Sequence, residues 1–149
     1  GALAVVNALG DVLDEKGDIL AGTRGDDGSF VRSDTLATAA EVHEGGFPGT
    51  NTTLVVVATD LPFSRTDLGR VARTAATALP RAISPVNTPF DGDLVFALST
   101  ARESRWFPAE EVLAAGIVAR DLVEAAIRRA VTPIPHRTDT GFRSESKGD

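Results

Sequence analysis

Phe47 to Asp60, reading FPGTNTTLVVVATD, is where the chain changes character. The residues before it are small, polar and charged; after it comes an abrupt apolar run, Leu54–Ala58, containing Val55, Val56 and Val57. β-Branched residues in a short run bounded by turn formers predict a buried strand. Thr52 and Thr53 therefore stand where a loop enters the core. Hydroxyl residues at such a junction ordinarily start a strand or satisfy its end. The sharper reading is a self-cleavage point between Asn51 and Thr52, which would expose Thr52 as a new N-terminus. A terminal Thr carries its own base, because an α-amino group titrates near ~7.7–8.0 in model peptides and can take the hydroxyl proton.

Two further stretches carry polar groups into apolar surroundings. Asn87–Thr88–Pro89–Phe90–Asp91–Gly92–Asp93 places two carboxylates two residues apart, just ahead of the apolar run Leu94–Leu98. Taken alone, this is a turn with solvated carboxylates. Ala2–Ala8 (ALAVVNA) predicts a buried strand carrying one amide, Asn7. A buried amide left without a hydrogen bond costs on the order of 1–3 kcal/mol. Asn7 therefore either ties down the turn at Gly10–Asp11 or donates into an oxyanion hole.

Together, GALAVVNALGDVLD with ILAGTR, then NTTLVVVATD, then SPVNTPFDGDLVFALST resemble the nylon-oligomer (6-aminohexanoate-oligomer) hydrolases. These lie within the wider family of self-processing β-aminopeptidases and L-aminopeptidase/D-esterases. The similarity runs from Gly1 to about Val131, and the motifs recur in the family's order. The resemblance implies an α/β (α+β) fold, a layered α-β-β-α sandwich of the N-terminal-nucleophile kind that this chain covers only in part. Residues 1–131 would then be the C-terminal part of a single catalytic domain, with 1–51 ending the first subunit and 52–131 forming the second. Residues 132–149, polar and broken by prolines, read as a disordered tail.

The same resemblance implies autocleavage at Asn51–Thr52, with Thr52 as nucleophile and Asn7 stabilising the oxyanion. Asp91 and Asp93 would orient and charge-balance the ammonium/hydroxyl pair of Thr52. Carboxylates this close do not both ionise freely without a cation nearby, and the Thr52 amine can be that cation. The family's catalytic Lys would lie before Gly1, so the missing N-terminal part is an implied partner. Also implied is a tetramer of processed heterodimers. A Thr nucleophile with TPFDGD looks more like the nylon-oligomer branch than the aminopeptidase branch, which more often uses Ser. The expected reaction is hydrolysis of a linear amide or peptide through an acyl-enzyme. The alternatives are β-aminopeptidase or L-aminopeptidase/D-esterase activity, acyl transfer to an amine, and an inactive fragment needing the missing segment.

Composition bounds the rest. With 149 residues the chain has the size of one domain. A formal charge of −6 argues against a nucleic-acid footprint, which would be basic. The chain holds no Cys and only two His, His43 and His136, too far apart to suggest a metal site. No cofactor, metal, nucleic acid or membrane is expected, and a cytoplasmic location is the default. Asp11–Asp18 reads as a solvated acidic turn, and Arg24–Gly25–Asp26 as a chance adhesion tripeptide. Asn51–Thr52–Thr53 also matches the glycosylation pattern, a reading that the valine strand opposes. Gly22–Gly49 is a long polar passage with a short helix at Ser33–Val42; Gly45, Gly46 and Gly49 would let the segment before the scissile bond move. A helix is predicted from Ser64 to Leu79, ended by Pro80. A second runs from Pro108 to about Val131, with Glu110 and Glu111 in its first turn and Arg128 and Arg129 in its last. The lone Trp106 is expected to pack at an edge.

Overall fold

The computed structural model describes residues 1–39 and 51–132. His43, the loop glycines, the end of the first predicted helix and the tail beyond Thr132 lie outside the described residues. The fold is mixed α+β, as the sequence predicts, with two small sheets. Strand β1 (Ala2–Asn7) pairs antiparallel with β4 (Thr52–Thr59), and β4 pairs parallel with β6 (Leu94–Ser99). The second sheet joins β2 (Asp11–Leu13), β3 (Ile19–Ala21) and β5 (Ile83–Ser84).

Helix α1 (Ser33–Thr38) is short. Its first amide is satisfied not by a cap of its own but by Asp11, whose carboxylate accepts from the Ser33 N–H at 2.8 Å and the Ser33 hydroxyl at 2.7 Å. Asp11 is fully buried. The reading of 11–18 as a solvated turn therefore holds for Asp14, not for Asp11. Asp14 accepts from the backbone of Asp18 and Lys16, and these bonds, the one from Asp18 foremost, lower its pKa. Arg24 of the adhesion-like tripeptide is tied down, stacked 4.2 Å from the Phe30 ring centroid and donating to the Gly28 carbonyl at 2.8 Å.

Helix α2 (Arg65–Ala75) begins where the sequence predicts. The Ser64 Oγ accepts from the Asp67 N–H at 3.2 Å, and its hydroxyl donates back to the Asp67 carboxylate at 2.6 Å. Pro80 does not stop the helical path. A 3-10 turn (Ala76–Ala78) leads into a short helix α3 (Leu79–Ala82), with Pro80 in its first turn, where a missing N–H costs nothing. Helix α4 (Ala109–Val131) crosses α2 closely. A Cβ added at Gly116 would lie 2.8 Å from the Thr74 Cβ, so only glycine permits this approach.

The core lies between these helices and one face of the first sheet. Val55, Val57, Val71, Ala75, Leu79, Val112, Ala119, Val123 and Ile127 are all buried there. Of the large apolar residues of α4, Val112, Val123 and Ile127 are buried, whereas Leu113, Ile117, Val118 and Leu122 are exposed. The helix repeats its apolar positions on two sides, and the sheet covers only one. Trp106 is 82% exposed rather than packed. Glu124 is nearly buried and clamped by Arg81 at 2.5 Å and Arg128 at 2.7 Å, while Arg128 also donates to the Leu13 carbonyl. This knot joins α4 to α3 and to the second sheet.

The other face of the first sheet is open. Leu3, Val5, Leu54, Leu94, Phe96 and Leu98 stand on it, between 43% and 66% exposed. The apolar runs signal strands buried on both sides, but within the described residues the helices cover one. Among these residues no helix is long and apolar enough to cross a membrane.

Candidate functional site

Topology gathers the candidate residues at one end of the first sheet. Because β1 runs antiparallel to β4, the end of β1 meets the start of β4, and Asn7 is the register partner of Thr52. Because β6 runs parallel to β4, the turn before β6 arrives at that same end, with Asn51 bridged to Asp91. Thr52, Asn7, Asp91 and Asp93, far apart in the chain, are thus gathered at one end of the sheet.

Side-chain alternation decides what each can reach. Asn7 follows Leu3 and Val5 onto the open face, and Thr52 precedes Leu54 on that face. Directly paired antiparallel residues on one face hold their Cβ atoms about 4.5–5.5 Å apart, so an amide at Asn7 stands within reach of a group at Thr52. Thr53 points the other way, into the core, and is fully buried.

The Thr52 hydroxyl lies against the carbonyl it would attack, donating to the Asn51 oxygen at 2.6 Å. The same oxygen accepts from the Gly92 N–H at 3.0 Å. Asp93 accepts from the Thr53 N–H at 2.6 Å and so fixes the backbone beside the candidate nucleophile. Asp91 braces its own turn, accepting from the Thr88 N–H at 3.0 Å and the Thr88 hydroxyl at 2.6 Å. That turn passes through Asn87 at φ 56°, a left-handed conformation that Asn tolerates better than most residues.

The constant offset of forty in the β4/β6 register, seen at Asn51–Asp91 and Leu54–Leu94, sets Gly92 level with Thr52. The two carboxylates flank this position and the glycine faces it. Sequence reasoning singled out Asp91 and Asp93 and passed over Gly92. The available signal was a glycine at the entry of an apolar strand, a mark of close backbone approach. Beside the turn lies an apolar cavity of about 260 Å³, lined in part by Leu9, Leu36, Pro85, Thr88 and Phe90. Among the described residues no group of three or more His, Cys, Asp or Glu could hold a metal ion.

Several known proteins are similar to this chain. An uncharacterised aminopeptidase of Mycobacterium leprae is 39% identical over 103 residues, 67% of this chain and 28% of that protein. An uncharacterised aminopeptidase of Mycobacterium tuberculosis is 38% identical over 106 residues, covering 67% and 31%. The 6-aminohexanoate-oligomer endohydrolase of a Kocuria species is 29% identical over 103 residues, covering 66% and 29%. The chain thus spans less than a third of the length of these relatives. Among solved structures, the L-aminopeptidase D-Ala-esterase/amidase of Ochrobactrum anthropi is 31% identical, over 53% of this chain and 25% of that one, with a TM-score of 0.46. The model of peptidase family S58 matches residues 1–138, and with every described residue inside that match, the protein is a member of peptidase family S58.

Proposed function

We propose that this chain is the C-terminal part of a self-processing amidohydrolase that cuts itself between Asn51 and Thr52 and then uses Thr52 as an N-terminal nucleophile. The observation that carries the reading is the Thr52 hydroxyl, 2.6 Å from the Asn51 carbonyl oxygen at the mouth of the central strand. In the processing step Thr52 Oγ bonds to the Asn51 carbonyl carbon and the bond from that carbon to the Thr52 nitrogen breaks. The hydroxyl proton passes to the departing nitrogen. Water then hydrolyses the resulting ester, leaving a carboxylate on Asn51 and both a free amine and a free hydroxyl on Thr52.

In turnover the same oxygen attacks a substrate amide, with the Thr52 amine as general base. Asn7, across the strand pair, supplies an oxyanion donor. Asp93 holds the backbone beside the nucleophile, and Asp91, one turn away, adds negative charge to balance the ammonium. The open apolar face of the sheet, with Leu3, Val5, Leu54, Leu94, Phe96 and Leu98 side by side, supports the need for a further layer, since contiguous exposed apolar patches mark contact surfaces. The N-terminal part of the protein is the cover we assign to it, in a four-layer α-β-β-α sandwich.

The substrate is a linear amide, a 6-aminohexanoate oligomer or a related peptide. The greater identity to the mycobacterial aminopeptidases, 38–39% against 29% for the endohydrolase, favours a second reading in which short peptides are the substrates. An intact mass of the full-length protein under denaturing conditions tests the common core of both. Two pieces meeting at Asn51 and Thr52 are expected; a folded, uncut chain would sink the mechanism. Linear amides and aminoacyl peptides, offered in parallel to the cut enzyme, then separate the two substrate readings.

A further inference from the structure

Gly92 stands level with Thr52, and two independent contacts make it part of the reacting group. Its N–H donates to the Asn51 carbonyl oxygen at 3.0 Å. Its Cα faces the Thr52 hydroxyl so closely that an added Cβ would lie 2.8 Å from Thr52 Oγ1 and 3.8 Å from the Thr52 Cβ and Cγ2. The backbone itself does not call for glycine here, because Gly92 is not among the residues with positive φ. What excludes a side chain is the hydroxyl of Thr52.

We propose that Gly92 is a catalytic residue of the processing step. Its amide is an oxyanion donor to the scissile Asn51 carbonyl, and its bare Cα is the clearance that lets the Thr52 hydroxyl lie against that carbonyl. This rests on the self-processing reading above. As Oγ adds to the carbonyl carbon, the C=O π pair moves onto the oxygen, and the Gly92 N–H already points at it. A carbonyl oxygen has two lone pairs. In the resting chain they accept from Thr52 and Gly92, and when the hydroxyl turns from donor to nucleophile the amide stays in place. The flanking carboxylates serve the same arrangement. Asp93 pins Thr53, and Asp91 holds the turn that sets the Gly92 amide. Cleavage then removes Asn51 from the donor, and a substrate carbonyl attacked by the same Oγ inherits it.

The test uses the full-length protein and follows cleavage by denaturing mass spectrometry from the moment of synthesis. The wild type, Thr52→Ala, Gly92→Ala and the control Gly69→Ala are compared. Gly69 lies on α2 where an added Cβ meets nothing. A further variant replaces Gly92 by glycolic acid through translation with an acylated tRNA, exchanging the N–H for an oxygen without adding a Cβ. Loss of one oxyanion donor slows such reactions by about 10²–10³-fold, and that is the slowing expected of the ester variant. Gly92→Ala is expected to process about 10²-fold more slowly through displacement of the nucleophile, and Gly69→Ala at the wild-type rate. Should Gly92→Ala fail to fold, the ester variant decides. An ester variant that cuts as fast as the wild type overturns the donor role and leaves the self-processing reading standing. A Gly92→Ala protein that folds and cuts at the wild-type rate overturns the clearance role in the same way. A wild type that never cuts removes both proposals at once.

Discussion

Thr52 and Thr53 are adjacent residues of the same type, and the two faces of β4 give them opposite surroundings. Thr53 belongs to the face that helices α2 and α4 cover. It is fully buried with Val55 and Val57, and among the described residues its hydroxyl has no hydrogen-bond partner. Thr52 belongs to the face these helices leave open, beside Asn7 and Gly92, with its hydroxyl on the Asn51 carbonyl. One backbone thus separates the part of the molecule that holds it folded from the part that carries the proposed site. The covered face tolerates a burial cost at Thr53, whereas the open face keeps its polar atoms within reach of a carbonyl.

The most severe way to break the comparison is Thr52→Ala. We expect complete loss of processing in the full-length protein, read as a single uncut mass, with an unchanged melting temperature. If cleavage at this bond continues, the chemistry does not belong to the open face.

A matched pair tests whether that face is truly covered in the full protein. Ile127→Ala removes a fully buried side chain from the helix side and should cost about 3 kcal/mol in chemical denaturation. Phe96→Ala, on the open face and 52% exposed in this chain, should cost a similar ~3 kcal/mol in full-length protein if another layer packs on it. A loss near zero at Phe96 would show that the face stays open.

Glu124 sharpens the contrast through pH. Burial works to raise its pKa, but hydrogen bonds and charge from Arg81 and Arg128 outweigh that and hold the carboxyl below its ordinary 4.5. A lowered carboxyl stabilises the fold at pH values above the unfolded pKa and loses that contribution as pH falls through the folded one. Glu124→Gln should therefore cost about 1–2 kcal/mol at pH 7, modest because Arg81 is half exposed to solvent. The difference from the wild type should fade as the pH falls below 4.5 and through the lowered folded-state pKa, as urea titrations at a series of pH values would read. Processing, on the opposite side of the sheet, should not follow it.

The smallest effect is expected at Thr53→Val. Removing a buried, unpartnered hydroxyl should leave stability unchanged or raise it by about 1 kcal/mol, with wild-type processing. A large fall in cleavage rate would assign Thr53 to the site and end the contrast between neighbours.

Periodicity and punctuation alone predict strands at Ala2–Ala8, Leu54–Ala58 and Leu94–Leu98, each within two residues of the observed ends, together with the Ser64 cap and the long last helix. Each of these is a local preference written in consecutive residues. The motifs around Asn7, Asn51–Thr52 and Asp91–Asp93 were legible for the same reason, as polar residues at the edges of apolar runs. What the sequence could not state was which apolar side is covered. Leu122 and Val123, or Leu54 and Val55, are all apolar, and only the placement of α2 and α4 on one face of the sheet buries one of each pair. Asp11 reads as one more acid in an acidic turn until the fold brings Ser33 to it across twenty-two positions. The site depended on tertiary structure most of all. Antiparallel pairing brings Asn7 to Thr52 and parallel pairing brings Gly92 level with it, because strand direction and register are properties of contacts between distant segments, and no single segment encodes them.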